Sequence, residues 1–142
     1  MARSLSAFLA QNTKKIDNCT LVVSSRFVGE DKKPLAWEIK SISAAENAKL
    51  RKSCMRSVPA PGVRGQYTQD FDVHSYQAKL AAKCVVYPEL DNVELQESYG
   101  AMSAEQLIGL MLTAGEFDAL VAGILEHNGF KDDGELEEEA KN

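Results

Sequence analysis

Asp70, Asp72 and His74 stand at alternate positions in "QDFDVH". On a strand the three would share a face and could bind a metal ion or pair as general acid and base. Just upstream, five bases (Lys49, Arg51, Lys52, Arg56 and Arg64) fall within sixteen positions that also hold Cys54. Three chemistries are therefore open for this stretch: a metal or acid/base site, a phosphate-binding patch, or a surface for another protein.

The elements that must carry these residues narrow the choice. Val73, Tyr76, Leu80, Cys84 and Tyr87 form one apolar face of a helix expected over 73–86, with Pro88 closing it. That periodicity makes Asp72 a helix cap and puts His74 in the exposed first turn. A second helix expected over 43–57 brings Lys49, Lys52 and Arg56 onto one face, with Leu50 and Cys54 turned elsewhere to pack. A basic helical face can bind phosphates, bind acidic protein or simply be solvated. The following "VPAPGVRGQ" holds two prolines and two glycines and reads as an exposed loop. No aromatic residues alternate with the charges as a single-strand nucleic-acid binder requires, so nucleic acid ranks last.

Composition agrees. The net charge of −5 is uneven: residues 131–142 hold six acids and two bases, which leaves the first 130 residues at −1. A nearly neutral body lacks the positive field of a general nucleic-acid binder. The acidic segment has Leu136 as its only large apolar group and is expected to be a disordered tail. Cys19, Cys54 and Cys84 are odd in number and widely spaced, which fits buried or inert thiols rather than a disulfide framework or zinc site. No P-loop, G-x-S-x-G, H-E-x-x-H or G-x-G-x-x-G motif occurs. No apolar run is long enough for a membrane span and the first residues do not form a secretory signal, so a cytoplasmic, non-enzymatic protein without cofactor or metal is expected.

Residues 4–11 could form a short helix with Leu5, Phe8 and Leu9 on one side. "TLVVSSRFV" (20–28) and "LAWEIKSI" (35–42) alternate in period two and flank a polar turn, which predicts an antiparallel hairpin. In it Leu21, Val23, Phe27, Leu35, Trp37 and Ile39 face inward. Capping-box spacings open four helices, at Ser43, Asp91, Ser103 and Thr113. The last helix carries a stripe of Phe117, Leu120, Val121, Ile124 and Leu125, sets His127 near its negative dipole end, and stops at Gly129. The fold expected is α+β: one domain over 1–130, with an N-terminal antiparallel β-hairpin packed against a mainly helical C-terminal bundle.

Several blocks, in order, resemble the XkdN/YqbN type of phage tail assembly chaperone. They are "LSAFLAQN", "RFV", "PLAWEIKSIS", "LRKSCM", "VRGQYTQDFD", "YPELDNVELQESYGAM", "MLTAGEFDAL" and "NGF". The resemblance implies a non-enzymatic protein of the host cytoplasm from a contractile-tailed phage, prophage or phage-tail-like bacteriocin. It would bind the tape-measure protein and help recruit tail tube subunits. A frameshifted longer form of the same chain and further copies of itself are additional partners that the resemblance leaves open. Neither nucleic acid nor membrane is implied. Lys49, Arg51, Lys52, Arg56, Arg64 and Tyr67 are the residues expected to touch protein. Trp37, Tyr87 and Tyr99 are conspicuous too, and are expected in the core. The alternative function is a permanent connector or initiator of the tail, and a nucleic-acid-binding regulator ranks below both.

Overall fold

Val85-Val86-Tyr87 is a β-branched and aromatic run ahead of a proline, and a residue before proline is pushed out of the helical region. The helix expected over 73–86 accordingly ends at Cys84, and the run becomes a strand. That strand completes the main sheet. The structure, a computed structural model, describes residues 3–130. In chain order the elements are β1 (Cys19–Leu21), β2 (Trp37–Ile39), α1 (Ala44–Ser53), β3 (Met55–Pro59), β4 (Tyr67–Phe71), α2 (Val73–Cys84), β5 (Val85–Tyr87), α3 (Val93–Tyr99), α4 (Ala104–Met111) and α5 (Ala114–His127). The acidic tail expected over 131–142 lies outside the described residues.

The fold is α+β, as the sequence implies. Strand β2 lies at the centre of an antiparallel sheet ordered β1-β2-β5, with Cys19 opposite Ile39 and Leu21 opposite Trp37. The N-terminal hairpin is thus present, but each strand is only three residues long. Most of the 22–36 connection is a folded loop rather than an extension of the strands. Phe27 stacks on Trp37 with ring centroids 6.1 Å apart, and the Leu35 N–H donates to the Phe27 carbonyl at 2.8 Å. Trp37 and Ile39 are buried, as expected, whereas Leu35 is 40% exposed and the polar Ser24 is buried. The expected 4–11 helix shrinks to a 3-10 turn over Ser6–Phe8 with nothing buried.

Helix α2 forms the middle of the molecule. Its Tyr76, Leu80, Ala81 and Cys84 are buried, and it packs against α1, α4, α5 and β5. Leu107 and Ile108 of α4 and Leu120 and Ile124 of α5 close the core around it. Strand β1 lies on α5 at Gly123, where an added Cβ would meet the Leu21 side chain at 3.3 Å.

The caps explain where the helices begin. Ser43, Asp72, Ser103 and Thr113 each accept the expected backbone N–H three residues on. The 91–94 box is shifted by one, because Asn92 rather than Asp91 caps α3. At the far end of α5, Gly129 adopts φ 84°, and the Phe130 and Gly129 N–H groups bond back to Leu125 and Glu126. That pairing is a Schellman closure, and it bears out Gly129 as the stop.

Glu116 does two jobs at the start of α5. It accepts the Thr113 N–H at 2.9 Å, and it holds Arg26 at 2.5 Å while Arg26 also donates to the Met111 carbonyl at 2.7 Å. The Arg26 guanidinium, helped by the Ser24 hydroxyl and the Thr113 backbone, lowers the Glu116 pKa from its ordinary 4.5 to about 2. A carboxylate with a depressed folded pKa contributes stability above its unfolded pKa and loses it as the pH falls through the folded one. Acid unfolding monitored by circular dichroism should therefore steepen between about pH 4.5 and pH 2. Glu116→Gln should flatten that window and leave the slope above pH 6 unchanged. An unaltered acid limb in the variant would show that the Arg26 lock does not couple to folding.

Candidate protein-binding hairpin and its basic root

Cys54 ends α1 before the basic face expected of a 43–57 helix is complete. Its N–H bonds to the Arg51 carbonyl at 3.1 Å, and Met55–Pro59 then runs out as a strand. The strand pairs with Tyr67–Phe71 in a five-residue antiparallel ladder, from Met55 opposite Phe71 to Pro59 opposite Tyr67. "VPAPGVRGQ" is therefore not wholly loop: Val58 and Pro59 belong to the ladder, and Ala60–Gln66 form the turn. Gly62 and Gly65 supply the positive φ angles there, 74° and 81°. The sequence signal was available, since two strand-like runs flank a Pro/Gly-rich turn. The helical spacing of Lys49, Lys52 and Arg56 masked it.

The structure splits the expected site residues into a root and a tip. Lys49, Arg51 and Lys52 lie on α1, Arg56 opens β3, Arg64 sits in the turn and Tyr67 starts β4. A five-residue ladder separates the groups by about 15 Å. Arg56 does not extend the α1 face. It bonds Asp70 through Nε (3.2 Å) and Nη2 (3.1 Å), and its Nη1 lies 3.6 Å from Asp72. Asp70 and Asp72 thus clamp a basic residue rather than a metal, and Asp72 also caps α2. Exposed pairs like these add little stability, but they fix the register of the ladder. His74 lies exposed in the first turn of α2, its ring 6.2 Å from that of Phe117.

Arg51 has the most structural role of the six. Its guanidinium lies 4.5 Å from the Phe71 ring centre and 5.6 Å from that of Tyr76. Phe71 and Tyr76 are themselves 5.4 Å apart, and the Tyr76 hydroxyl donates to Asn47 Oδ1 of α1. This stack ties α1, the hairpin and α2 together. Cys54, buried beside it, has its carbonyl bonded to the Asp72 N–H at 2.9 Å. Cys84 is also buried, and burial raises its thiol pKa. Neither is placed for thiolate chemistry.

Beyond the root the hairpin is bare: none of its ten strand residues is buried. Pairing sets Met55, Ser57, Pro59, Tyr67, Gln69 and Phe71 on one face. Met55 is 42% and Tyr67 70% exposed, and Val63 in the turn is 46% exposed. Among the described residues, Lys49, Lys52 and Arg64 lie in no ion pair and no third strand joins the ladder.

A second surface lies outside the residues expected to touch protein. Phe27, Leu35, Trp37, Tyr87, Pro88, Leu95, Tyr99 and Met111 line an apolar cleft of about 180 Å³. Trp37 is its buried floor, as the core assignment had it. Tyr87 (50% exposed) and Tyr99 (38%) are not core. They stand on its rim, because β5 is an edge strand and Tyr99 ends α3.

The XkdN-like phage tail assembly chaperone family matches residues 5–141 of the sequence. The chain belongs to that family. The matched span includes the hairpin and the cleft, and it runs past the "NGF" block into the acidic segment. Among solved structures, the crystal structure of the protein YqbN superimposes with a TM-score of 0.77 at 22% identity, covering 92% of this chain and all of that one. No curated protein sequence matches. This tail assembly chaperone therefore shares the YqbN fold. No helix among its described residues is long and apolar enough to cross a membrane.

If the Arg51 stack holds the hairpin root, Arg51→Ala should raise amide hydrogen exchange across 55–59 and 67–71 about two- to five-fold. The melting of the body should hardly move. Arg51→Lys keeps the charge but not the planar stacking group, and should show most of the same loss. Full protection in the lysine variant would assign the effect to charge alone.

Proposed function

We propose that this chain is a non-enzymatic holding chaperone that binds the tape-measure protein and helps recruit tail tube subunits in the host cytoplasm, then leaves before the tail is complete. The observation that carries the reading is the bare β3–β4 hairpin. A two-stranded ladder has an open edge on each strand, and an extended client segment can add to such an edge through main-chain hydrogen bonds. Met55, Pro59 and Tyr67 offer that segment a modest apolar face. Lys49 and Lys52 near the root and Arg64 at the tip steer acidic segments toward it. Arg51 and Arg56 act by holding the hairpin in place. The surface is small and partly polar, which suits reversible holding better than permanent assembly.

Co-expression with the tape-measure protein tests this. The chain should keep the tape-measure protein soluble and co-purify with it. The pair Arg64→Ala and Tyr67→Ala should cut recovery of the complex by about five-fold or more without changing the chaperone's own melting. A tape-measure protein whose solubility is the same with and without this chain would end the proposal. Mass spectrometry of finished particles should find the chain absent or far below the tube protein. Stoichiometric presence would favour a permanent connector or initiator.

A further inference from the structure

The segment ahead of β1 is out of keeping with the rest of the chain. None of residues 3–18 is buried, although Leu5 (71% exposed), Phe8 (81%), Leu9 (46%) and Ile16 (68%) are among them. Leu5, Phe8 and Leu9 fall in and beside one hydrogen-bonded 3-10 turn. The Phe8 N–H bonds to the Leu5 carbonyl at 3.0 Å, Asn12 Nδ2 to the Ser6 carbonyl at 2.8 Å, and Thr13 Oγ1 to the Leu9 carbonyl at 2.9 Å. Single exposed apolar residues are ordinary, but three within five residues of one turn, none of them buried, offer apolar surface to a partner.

We propose that Leu5, Phe8 and Leu9 of one copy seat in the Phe27–Trp37–Tyr87–Tyr99 cleft of a second copy, and that the chain self-associates by this exchange. The cleft, at about 180 Å³, is smaller than the ~300–1,000 Å³ of small-molecule sites, and it suits inserted side chains better than a free ligand. Charge agrees with shape. The segment carries Arg3, Lys14 and Lys15 against Asp17 as its one acid. The cleft is flanked by residues 88–98, which hold Glu89, Asp91, Glu94 and Glu97 and no base. Glu89 and Glu94 line a neighbouring groove that shares Tyr87 and Leu95 with the cleft. Among the described residues none of the four acids is in an ion pair.

The turn does not occupy the cleft of its own chain: Leu5, Phe8 and Leu9 are exposed and do not line it. The chain enters β1 at Cys19, opposite Ile39, whereas Phe27 and Leu35 of the cleft belong to the loop at the Leu21–Trp37 end. The segment therefore leaves the sheet at the end away from the cleft. Residues 14–18, beyond the closed turn, can extend about 17 Å away from the sheet. A reciprocal exchange is closed by two-fold symmetry, so it stops at the dimer.

The proposal does not depend on which client the chaperone holds, and it is tested on the full chain alone. Sedimentation velocity at micromolar concentration should show a dimer. Phe8→Asp and Tyr87→Glu should each weaken it at least about ten-fold, with circular dichroism melting unchanged. If Tyr87→Glu fails to fold, Leu35→Asp in the exposed loop takes its place. A photo-crosslinking residue at position 8 should give a covalent dimer whose linked peptide contains Tyr87, Leu95 or Tyr99. A monomer at every concentration, a dimer indifferent to Phe8→Asp, or crosslinks confined to the monomer band would each overturn the proposal.

Discussion

The buried face of α2 is the constraint on which the other elements depend. Tyr76, Leu80, Ala81 and Cys84 meet α1 on one side, α4 and α5 on another, and the last of them leads directly into β5. Leu80, Ala81 and Cys84 are all but inaccessible, so the layers they touch have little freedom in spacing. Tyr76 is different, because it reaches outward to Asn47, Phe71 and Arg51. Through that one side chain the closed core is coupled to the exposed part of the molecule. The hairpin therefore has a rigid root although its strands bury nothing, a situation in which an isolated two-stranded ladder would be marginal.

The same economy appears in how charge is distributed. A body of net −1 has no strong overall field, yet five of its fourteen bases fall within 49–64 and four of its fifteen acids within 88–98. Where opposite charges meet, as at Arg56 with Asp70 or Arg26 with Glu116, they fix loops and register. Where they do not, as at Lys49, Lys52, Arg64, Glu89 and Glu94, they rim surfaces that also expose apolar groups. An apolar face within a charged rim is the usual make-up of a protein-binding site.

Much of this was legible in the sequence. Capping residues and the α5 stripe were readable because local hydrogen bonding and a 3.6-residue period leave direct marks. The core position of Trp37 and the cap at Asp72 followed from the same logic. What failed were positions where two patterns coexist. Met55–Pro59 follows a real helix without a glycine or proline until its last residue, so the helical spacing of the bases carried the assignment four residues too far. Val85–Tyr87 shares its apolar character with the helix before it, and its β-branched run ahead of Pro88 shows as a strand only once it pairs with β2, far away in sequence. Tyr87 and Tyr99 look like core residues by type. Their exposure depends on an edge strand and a helix end, which are properties of the assembled fold.

The two exposed surfaces use different residues, and that matters for how such a chaperone can hold a long client. Nothing in the Leu5–Leu9 turn or the Tyr87–Tyr99 cleft is shared with the β3–β4 hairpin, so a dimer joined through the first two keeps both hairpins free. Two weak sites on one particle make the second contact intramolecular, which raises avidity without a stronger single contact. Each contact remains weak enough to be displaced one at a time. Under the proposed role, a polymerising tube strips the chaperone from its client progressively, where a single tight interface would have to break at once.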